Sequence, residues 1–79
     1  MPNEGYSNIM PNPAQEKVTV TSSFRISSVV VFDALGHVVM SCKPDSASST
    51  LDITSLPKGV YVVAIVTPQG TVHKRLIKE

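Results

Sequence analysis

Hydrophobic and polar residues alternate with a period of two along much of this 79-residue chain, which indicates β-strands. No segment of about ten residues or more repeats its apolar side chains at the 3.6-residue spacing of an amphipathic helix. Short apolar segments are instead separated by turn-forming residues. The pattern predicts an all-β fold, a small antiparallel immunoglobulin-like β-sandwich of about seven strands.

The predicted strands lie at residues 6–9, 17–21, 28–33, 37–41, 50–54, 60–67 and 71–77. A polar break containing Phe24 and Ile26 is expected after the second strand. Residues 43–49 contain Pro44 and several serines, and they are predicted to form a loop. Residues 1–10 are mostly polar and are predicted to be a linker or N-terminal edge segment. Residues 11–79 are predicted to form the folded domain.

Two of the predicted turns depend on particular residues. Asp33 is expected to accept hydrogen bonds from backbone N–H groups of its own turn, and Gly36 to supply a positive φ in the loop of a hairpin. In the corner at residues 55–59, Pro57 sets the turn, and Gly59 is expected where a side chain would clash. Leu56 is predicted to close the end of the core.

The longest predicted strand places Tyr61, Val63 and Ile65 on one face, toward the core. Other small apolar residues are predicted to face away from that core: Val30, Val38, Val62, Ala64 and Val66. An exposed apolar patch usually marks a contact surface. Docking on another protein or on a second copy of the chain is one interpretation, and local cover by the N-terminal segment and loops is the alternative.

Composition excludes several classes of function. Seven Lys and Arg against six Asp and Glu give a net charge of +1, far from the basic footprint of a nucleic-acid-binding protein. Aromatic residues make up 5% of the chain, too few for a base-stacking surface. No apolar run approaches the roughly 20 residues of a membrane-spanning helix. The single cysteine, Cys42, excludes an internal disulfide and is expected to be half-buried at a strand end.

Candidate catalytic or metal-binding groups are sparse. His37, His73 and Cys42 are the soft donors, and a zinc site needs three or four that converge. The serines at positions 46, 48 and 49 lie in a predicted loop without a Gly-x-Ser-x-Gly elbow. The residues therefore predict neither an enzyme nor a cofactor.

Three motifs carry a resemblance to a known family. Met10-Pro11-Asn12-Pro13-Ala14 precedes an alternating strand, residues 29–40 place Phe32-Asp33 before Gly36-His37, and residues 56–78 contain Leu56-Pro57-Lys58-Gly59-Val60-Tyr61. In this order they resemble the type A C-terminal sorting domains of the type IX secretion system of Bacteroidetes. Met10 and His37 depart from the family pattern, which has an aromatic and a basic residue there.

The resemblance implies a non-catalytic signal that directs an attached cargo protein through the outer-membrane translocon to the cell surface. The implied partners are the type IX translocon, cell-surface sortase or attachment proteins and an upstream cargo domain of the same polypeptide. The implied locations are the periplasm in transit, and then the outer membrane, the cell surface or the medium. The alternative is a structural or adhesive immunoglobulin-like module that binds protein or glycan. Because a sorting domain must be C-terminal, the stop after Glu79 favours the first interpretation.

Through the resemblance, the candidate recognition and structural residues are Pro11, Asn12, Pro13, Gly36, Leu56, Pro57, Gly59, Tyr61, Gly70, Lys74, Arg75, Ile77 and Lys78. Lys74, Arg75 and Lys78 are expected to present a charged strip on the last strand to the export machinery. The alternative for these three residues is charged decoration that protects an edge strand from aggregation.

Overall fold

The computed structural model describes residues 7–11 and 14–79, which form seven β-strands in two antiparallel sheets. One sheet has the order β1-β2-β5 and the other β4-β3-β6-β7. The strands are β1 (Ser7–Met10), β2 (Lys17–Ile26), β3 (Ser28–Phe32), β4 (Val38–Cys42), β5 (Ser46–Asp52), β6 (Gly59–Thr67) and β7 (Gly70–Lys78). The prediction of a small all-β sandwich is therefore confirmed. The described residues contain no helix of the length and hydrophobicity needed to cross a membrane.

The core lies between the sheets and consists of the apolar side chains that alternate along the strands. In β3, Val29 and Val31 are fully buried, whereas Val30 and Phe32 between and beside them are half-buried. The same alternation places Tyr61, Val63 and Ile65 of β6 inside, as predicted. The other members of the core are Ile9, Ala14, Val18, Val20, Ile26, Leu51, Ile53, Leu56 and Leu76.

The longest ladder joins β6 to β7, from Gly59 opposite Lys78 to Thr67 opposite Gly70. The turn between the two strands is stabilised by the hydroxyl of Thr67, which donates to the carbonyl of Gly70 (3.2 Å) and accepts from the N–H of Gln69 (3.1 Å). β7 is therefore fixed to the domain mainly through β6.

One predicted break is wrong and another is too long. The polar segment around Phe24 continues β2 as far as Ile26. Of the predicted loop at 43–49, residues 43–45 lie outside a strand and the rest belongs to β5, which begins at Ser46. The two segments pair with each other, with Ile26 opposite Ser46 across an irregularity in register. β5 is an edge strand whose serines are mostly exposed. Its backbone pairs with β2, but its side chains lack the apolar alternation from which a strand is predicted.

The bounds of the other strands differ from the predicted ones by one or two residues. β5 ends at Asp52, so Ile53 belongs to the following corner although its side chain is fully buried. At the N-terminus the predicted edge strand is observed at Ser7–Met10, and Ile9 contributes to the core. The predictions for Tyr6, Asn12 and Pro13, and for residues 1–5 of the predicted linker, concern residues outside those that the structure describes.

Candidate functional site: the motif end of the sandwich

Strand directions bring distant parts of the sequence to one end of the sandwich. β1, β3, β5 and β7 run toward this end, and β2, β4 and β6 start from it. It therefore holds Pro11, residues 14–16, the β3–β4 turn at 33–37, the corner at 53–58 and the last residues, 77–79. We call it the motif end, because parts of all three sequence motifs meet there. Ser7 and the β6–β7 turn lie toward the opposite end of a molecule that is 39 Å long.

The first motif is fastened to the end of β7 by backbone hydrogen bonds. The N–H of Ala14 donates to the carbonyl of Ile77 (2.9 Å), and the N–H of Glu79 donates to the carbonyl of Ala14 (2.8 Å). Ala14 thus forms a parallel bridge with Lys78, and its methyl group is buried in the core. Sequence reasoning missed this contact, because a bridge of one residue through the backbone leaves no periodic pattern.

The second motif forms the turn between β3 and β4. Asp33 Oδ1 accepts hydrogen bonds from the N–H groups of Leu35 and His37, each at 2.9 Å. The N–H of Gly36 donates to the carbonyl of Asp33 (3.0 Å), and Gly36 has a φ of 90°, in the left-handed region that favours glycine. Both predictions for this turn are confirmed.

Hydrogen bonding in this turn favours the ionised form of Asp33. The N–H of His37 is the main cause that lowers the pKa of the carboxyl below its ordinary value of 3.8, with a further contribution from the N–H of Leu35. Partial desolvation opposes this shift. The imidazole Nδ1 of His37 lies 3.4 Å from Asp33 Oδ2 on the exposed side of the turn. The turn is thus held by one carboxylate that accepts from the backbone.

The third motif forms the corner between β5 and β6. Leu56 is buried and belongs to the core cluster, so it closes the end of the core as predicted. The hydroxyl of Tyr61 donates to the carbonyl of Pro57 (2.5 Å) and fixes the corner to β6. The predicted clash at Gly59 is wrong: a Cβ built there meets no atom within 4 Å. The glycine is favoured by its φ of 155° rather than by lack of space.

The start of the same corner is held by Asp52 and by the segment that precedes β2. Asp52 Oδ1 accepts from the hydroxyl of Thr54 (2.6 Å) and from its N–H (3.0 Å), and the N–H of Ile53 donates to the carbonyl of Glu16 (2.8 Å). The Thr54 hydroxyl, then its N–H and the charge of Lys17, lower the pKa of Asp52 below 3.8. Hydrogen bonds from both side chains and backbone thus stabilise the start of this corner.

The basic residues of β7 do not lie on one face. Lys74 and Lys78 are half-buried and alternate with Leu76, which is fully buried, so both lysines lie on the inner side of the strand. Arg75 and Ile77 are exposed on the outer side. Lys78 lies at the motif end, and Lys74 lies further along the strand opposite Val63. The expected charged strip is therefore divided between two sides of the strand.

The remaining candidate residues are distributed as follows. Pro11 is exposed and lines a shallow polar hollow of about 450 Å³ at the motif end, together with Gln15, Glu16, Lys17 and Glu79. Gly70 lies at the opposite end, in the β6–β7 turn. The structure therefore brings together Pro11, Gly36, Leu56, Pro57, Gly59, Tyr61, Ile77 and Lys78, but not Gly70, Lys74 or Arg75.

The soft donors of the chain are dispersed. His37 lies in the β3–β4 turn, His73 is exposed on β7, and Cys42 is half-buried at the end of β4 with its Sγ 3.9 Å from Ser49 Oγ. Within residues 7–11 and 14–79, no group of three or more His, Cys, Asp or Glu side chains is placed to hold a metal ion.

Residues 8–79 match the model of a family described as the secretion system C-terminal sorting domain. The match covers all but seven residues of the chain (79 − 72 = 7) and includes the three motifs that meet at the motif end. No curated protein matches the sequence.

Proposed function

Since the chain belongs to the family of type IX secretion C-terminal sorting domains, we propose that it directs an attached cargo protein through the type IX translocon across the outer membrane to the cell surface. Domains of this family are in general non-catalytic, and the proposed role is recognition alone. The cargo would precede residue 1. The translocon would bind the domain in the periplasm before the domain passes to the surface.

The convergence of the motifs at one end of the sandwich is the observation that carries this proposal. Ser7 lies toward the opposite end of the 39 Å molecule, so a cargo joined upstream would leave the motif end accessible. A receptor could then contact Gly36, the Pro57–Gly59 corner and Lys78 without contacting the cargo. This arrangement explains how one signal could serve cargo proteins of different shapes.

Recognition of this end would depend on shape more than on a cluster of charges. The turn at Gly36 and the corner at Pro57 are both held by short hydrogen bonds, and Ala14 fixes the position of Ile77 through the backbone. A rigid surface loses little conformational entropy when it is bound. Lys78 would add one positive charge to that surface, next to the backbone of Gly59.

The test is a periplasmic reporter protein fused before residue 1 and expressed in a bacterium with a functional type IX system. Removal of residues 72–79 should leave the reporter in the periplasm. Because that deletion also removes Leu76 from the core, a substitution that preserves the fold is needed beside it. Lys78→Glu should lower the fraction of reporter on the surface while the domain stays folded.

The matched control is Lys43→Glu, which changes charge equally at the opposite end of the sandwich, after β4. It should leave surface delivery unchanged. Normal surface delivery after removal of residues 72–79 would refute the sorting role and favour the structural or adhesive module. An equal loss of surface delivery with Lys43→Glu and Lys78→Glu would contradict recognition at the motif end.

A further inference from the structure

The outer face of the four-stranded sheet is apolar and continues to an open edge. Register places Val38, Phe32 and Val62 in one row across β4, β3 and β6, and Val30 and Ala64 in the next. Val30, Val62 and Val66 are half-buried and Val38 is exposed, whereas Ala64 is buried. By burial, the prediction that these residues face away from the core is therefore not met at Ala64, and the first row ends at β4.

β4 is an edge strand of unusual composition. Among the described residues it pairs only with β3, and its sequence, Val-Val-Met-Ser-Cys, has no charged residue and no proline. Val38 and Val39 are 59% and 38% exposed, and Leu35 in the adjoining turn is 81% exposed. Proteins usually protect an edge strand with lysine, proline, a β-bulge or cover by another segment. Among the described residues, β4 shows only one of these, an irregularity in register between Val38 and Met40.

The other three edges differ from β4. β7 carries Lys74, Arg75 and Lys78, and Ala14 covers its end. β5 is mostly polar and ends in Asp52, and β1 has only four residues. β4 is therefore the edge at which an added strand would meet apolar side chains and no charge.

We propose that two copies of this chain pair through β4, with the strands antiparallel about a two-fold axis near Met40. The two four-stranded sheets would then join into one continuous sheet, and the two apolar outer faces would become one surface. Such an interface is self-complementary, because each strand presents the same backbone groups to its partner. This inference is independent of the proposed function, since it concerns association of the folded domain alone.

Charge at the ends of β4 favours a second copy as the partner. With Met40 opposite Met40, Val38 lies opposite Cys42, and Lys43 lies opposite His37 of the partner subunit. The imidazole of His37 is 3.4 Å from the carboxylate of Asp33, so in this pairing Lys43 of each copy would lie near the Asp33 carboxylate of the other. No like charges oppose each other within the five-residue strand.

The association should be weak and reversible. Pairing of two five-residue edges buries much less than the roughly 1,200 Å² of a stable protein–protein interface. Sedimentation equilibrium of the 79-residue chain, measured up to millimolar concentration, should show the mean mass rising from that of the monomer toward that of the dimer. Amide hydrogen exchange in Val38–Cys42 should slow over the same concentration range. A constant monomer mass, or exchange in β4 that does not change with concentration, would overturn the proposal.

Val39→Lys and Val72→Lys form a matched pair that locates the contact. The two valines are 38% and 39% exposed and lie on the two opposite edge strands of the same sheet. Val39→Lys should abolish association and Val72→Lys should preserve it. Loss of association with Val72→Lys alone would place the contact at β7. Equal loss of association in both variants would indicate that the copies pack through the outer face of the sheet. Either result overturns pairing through β4.

Circular dichroism and the melting temperature should confirm that each variant is folded. If Val39→Lys is unfolded, Val38→Lys provides the same test, because Val38 lies on the same edge strand and is more exposed. A folded Val38→Lys variant that still dimerises would contradict the proposal.

Discussion

The hydroxyl of Tyr61 donates a hydrogen bond of 2.5 Å to the main-chain carbonyl of Pro57, four residues earlier in the chain. The tyrosine ring is buried in the core, so one side chain both fills the sandwich and fixes the corner before β6. Gly59, between these two residues, has the positive φ that carries the chain from the corner into the strand. The spacing of proline, glycine and tyrosine in this motif thus has a structural explanation in a single fastened corner.

Tyr61→Phe should remove this hydrogen bond while the ring keeps its position. Loss of one neutral hydrogen bond, with the Pro57 carbonyl left without this donor, should lower the free energy of unfolding by about 1 kcal/mol. Tyr61→Ala should cost about 3–5 kcal/mol, because it also leaves a cavity. Equilibrium denaturation with urea measures both values. Equal losses in the two variants would contradict the separate role of the hydroxyl.

Gly36→Ala should destabilise the β3–β4 turn by about 1–2 kcal/mol, because the φ of 90° is unfavourable for a residue with a Cβ. No atom lies within 4 Å of the added Cβ, so the cost is conformational and not a clash. Gly36→Asn should cost less than Gly36→Ala, since asparagine tolerates positive φ better. An equal loss in the two variants, measured by thermal unfolding, would argue against this origin.

Neighbouring residues of β6 test the assignment of faces. Val63 is fully buried, and Val62 is half-buried on the outer face. Val63→Lys should prevent folding, because a lone charge in the core has no partner. Val62→Lys should leave the domain folded and weaken contacts made through the outer face. Circular dichroism measures whether each variant is folded. An unfolded Val62→Lys variant would show that the side chain of Val62 is packed in the core and that the assignment of faces is wrong.

Stability should fall in acid through Asp33 and Asp52. Hydrogen bonds to each carboxylate lower its pKa in the folded protein below 3.8, so the ionised form stabilises the fold. This contribution is fully present above the unfolded pKa and is lost as the pH falls below about 4, through the lower folded-state pKa. Denaturation midpoints measured from pH 7 to pH 3 should show the decline.

Asp33→Asn and Asp52→Asn provide the control for this pH dependence. Each should be less stable than the original chain at pH 7, and each should show a smaller loss between pH 5 and pH 3. An unchanged acid profile in the double variant would assign the decline to other groups.

Sequence reasoning identified the fold because most of its strands carry an apolar face. The alternation in β3 and β6 predicted which valines are buried, and the turn residues Asp33 and Gly36 predicted the hairpin. Leu56 was identified as the residue that closes the core because it is the one large apolar side chain in a polar corner. These features are local, and their physical causes lie within a few residues of chain.

The remaining features depend on contacts between distant segments. β5 begins at Ser46 because its backbone pairs with β2, and serines at an exposed edge carry no apolar signal. The bridge between Ala14 and Lys78 joins the two ends of the domain through the backbone alone. The positions of Lys74 and Arg75 on opposite sides of β7 follow from the alternation of side chains along the strand, which the charged strip expected from the resemblance did not take into account.

If the proposed function is correct, this domain suffices to carry an attached protein to the cell surface. The most direct measurement is the fraction of a periplasmic reporter, fused before residue 1, that external protease digests on intact cells. The reporter should be digested in a bacterium with a functional type IX translocon and protected in the same strain without it. Protection in both strains, with the fused domain folded, would contradict the claim.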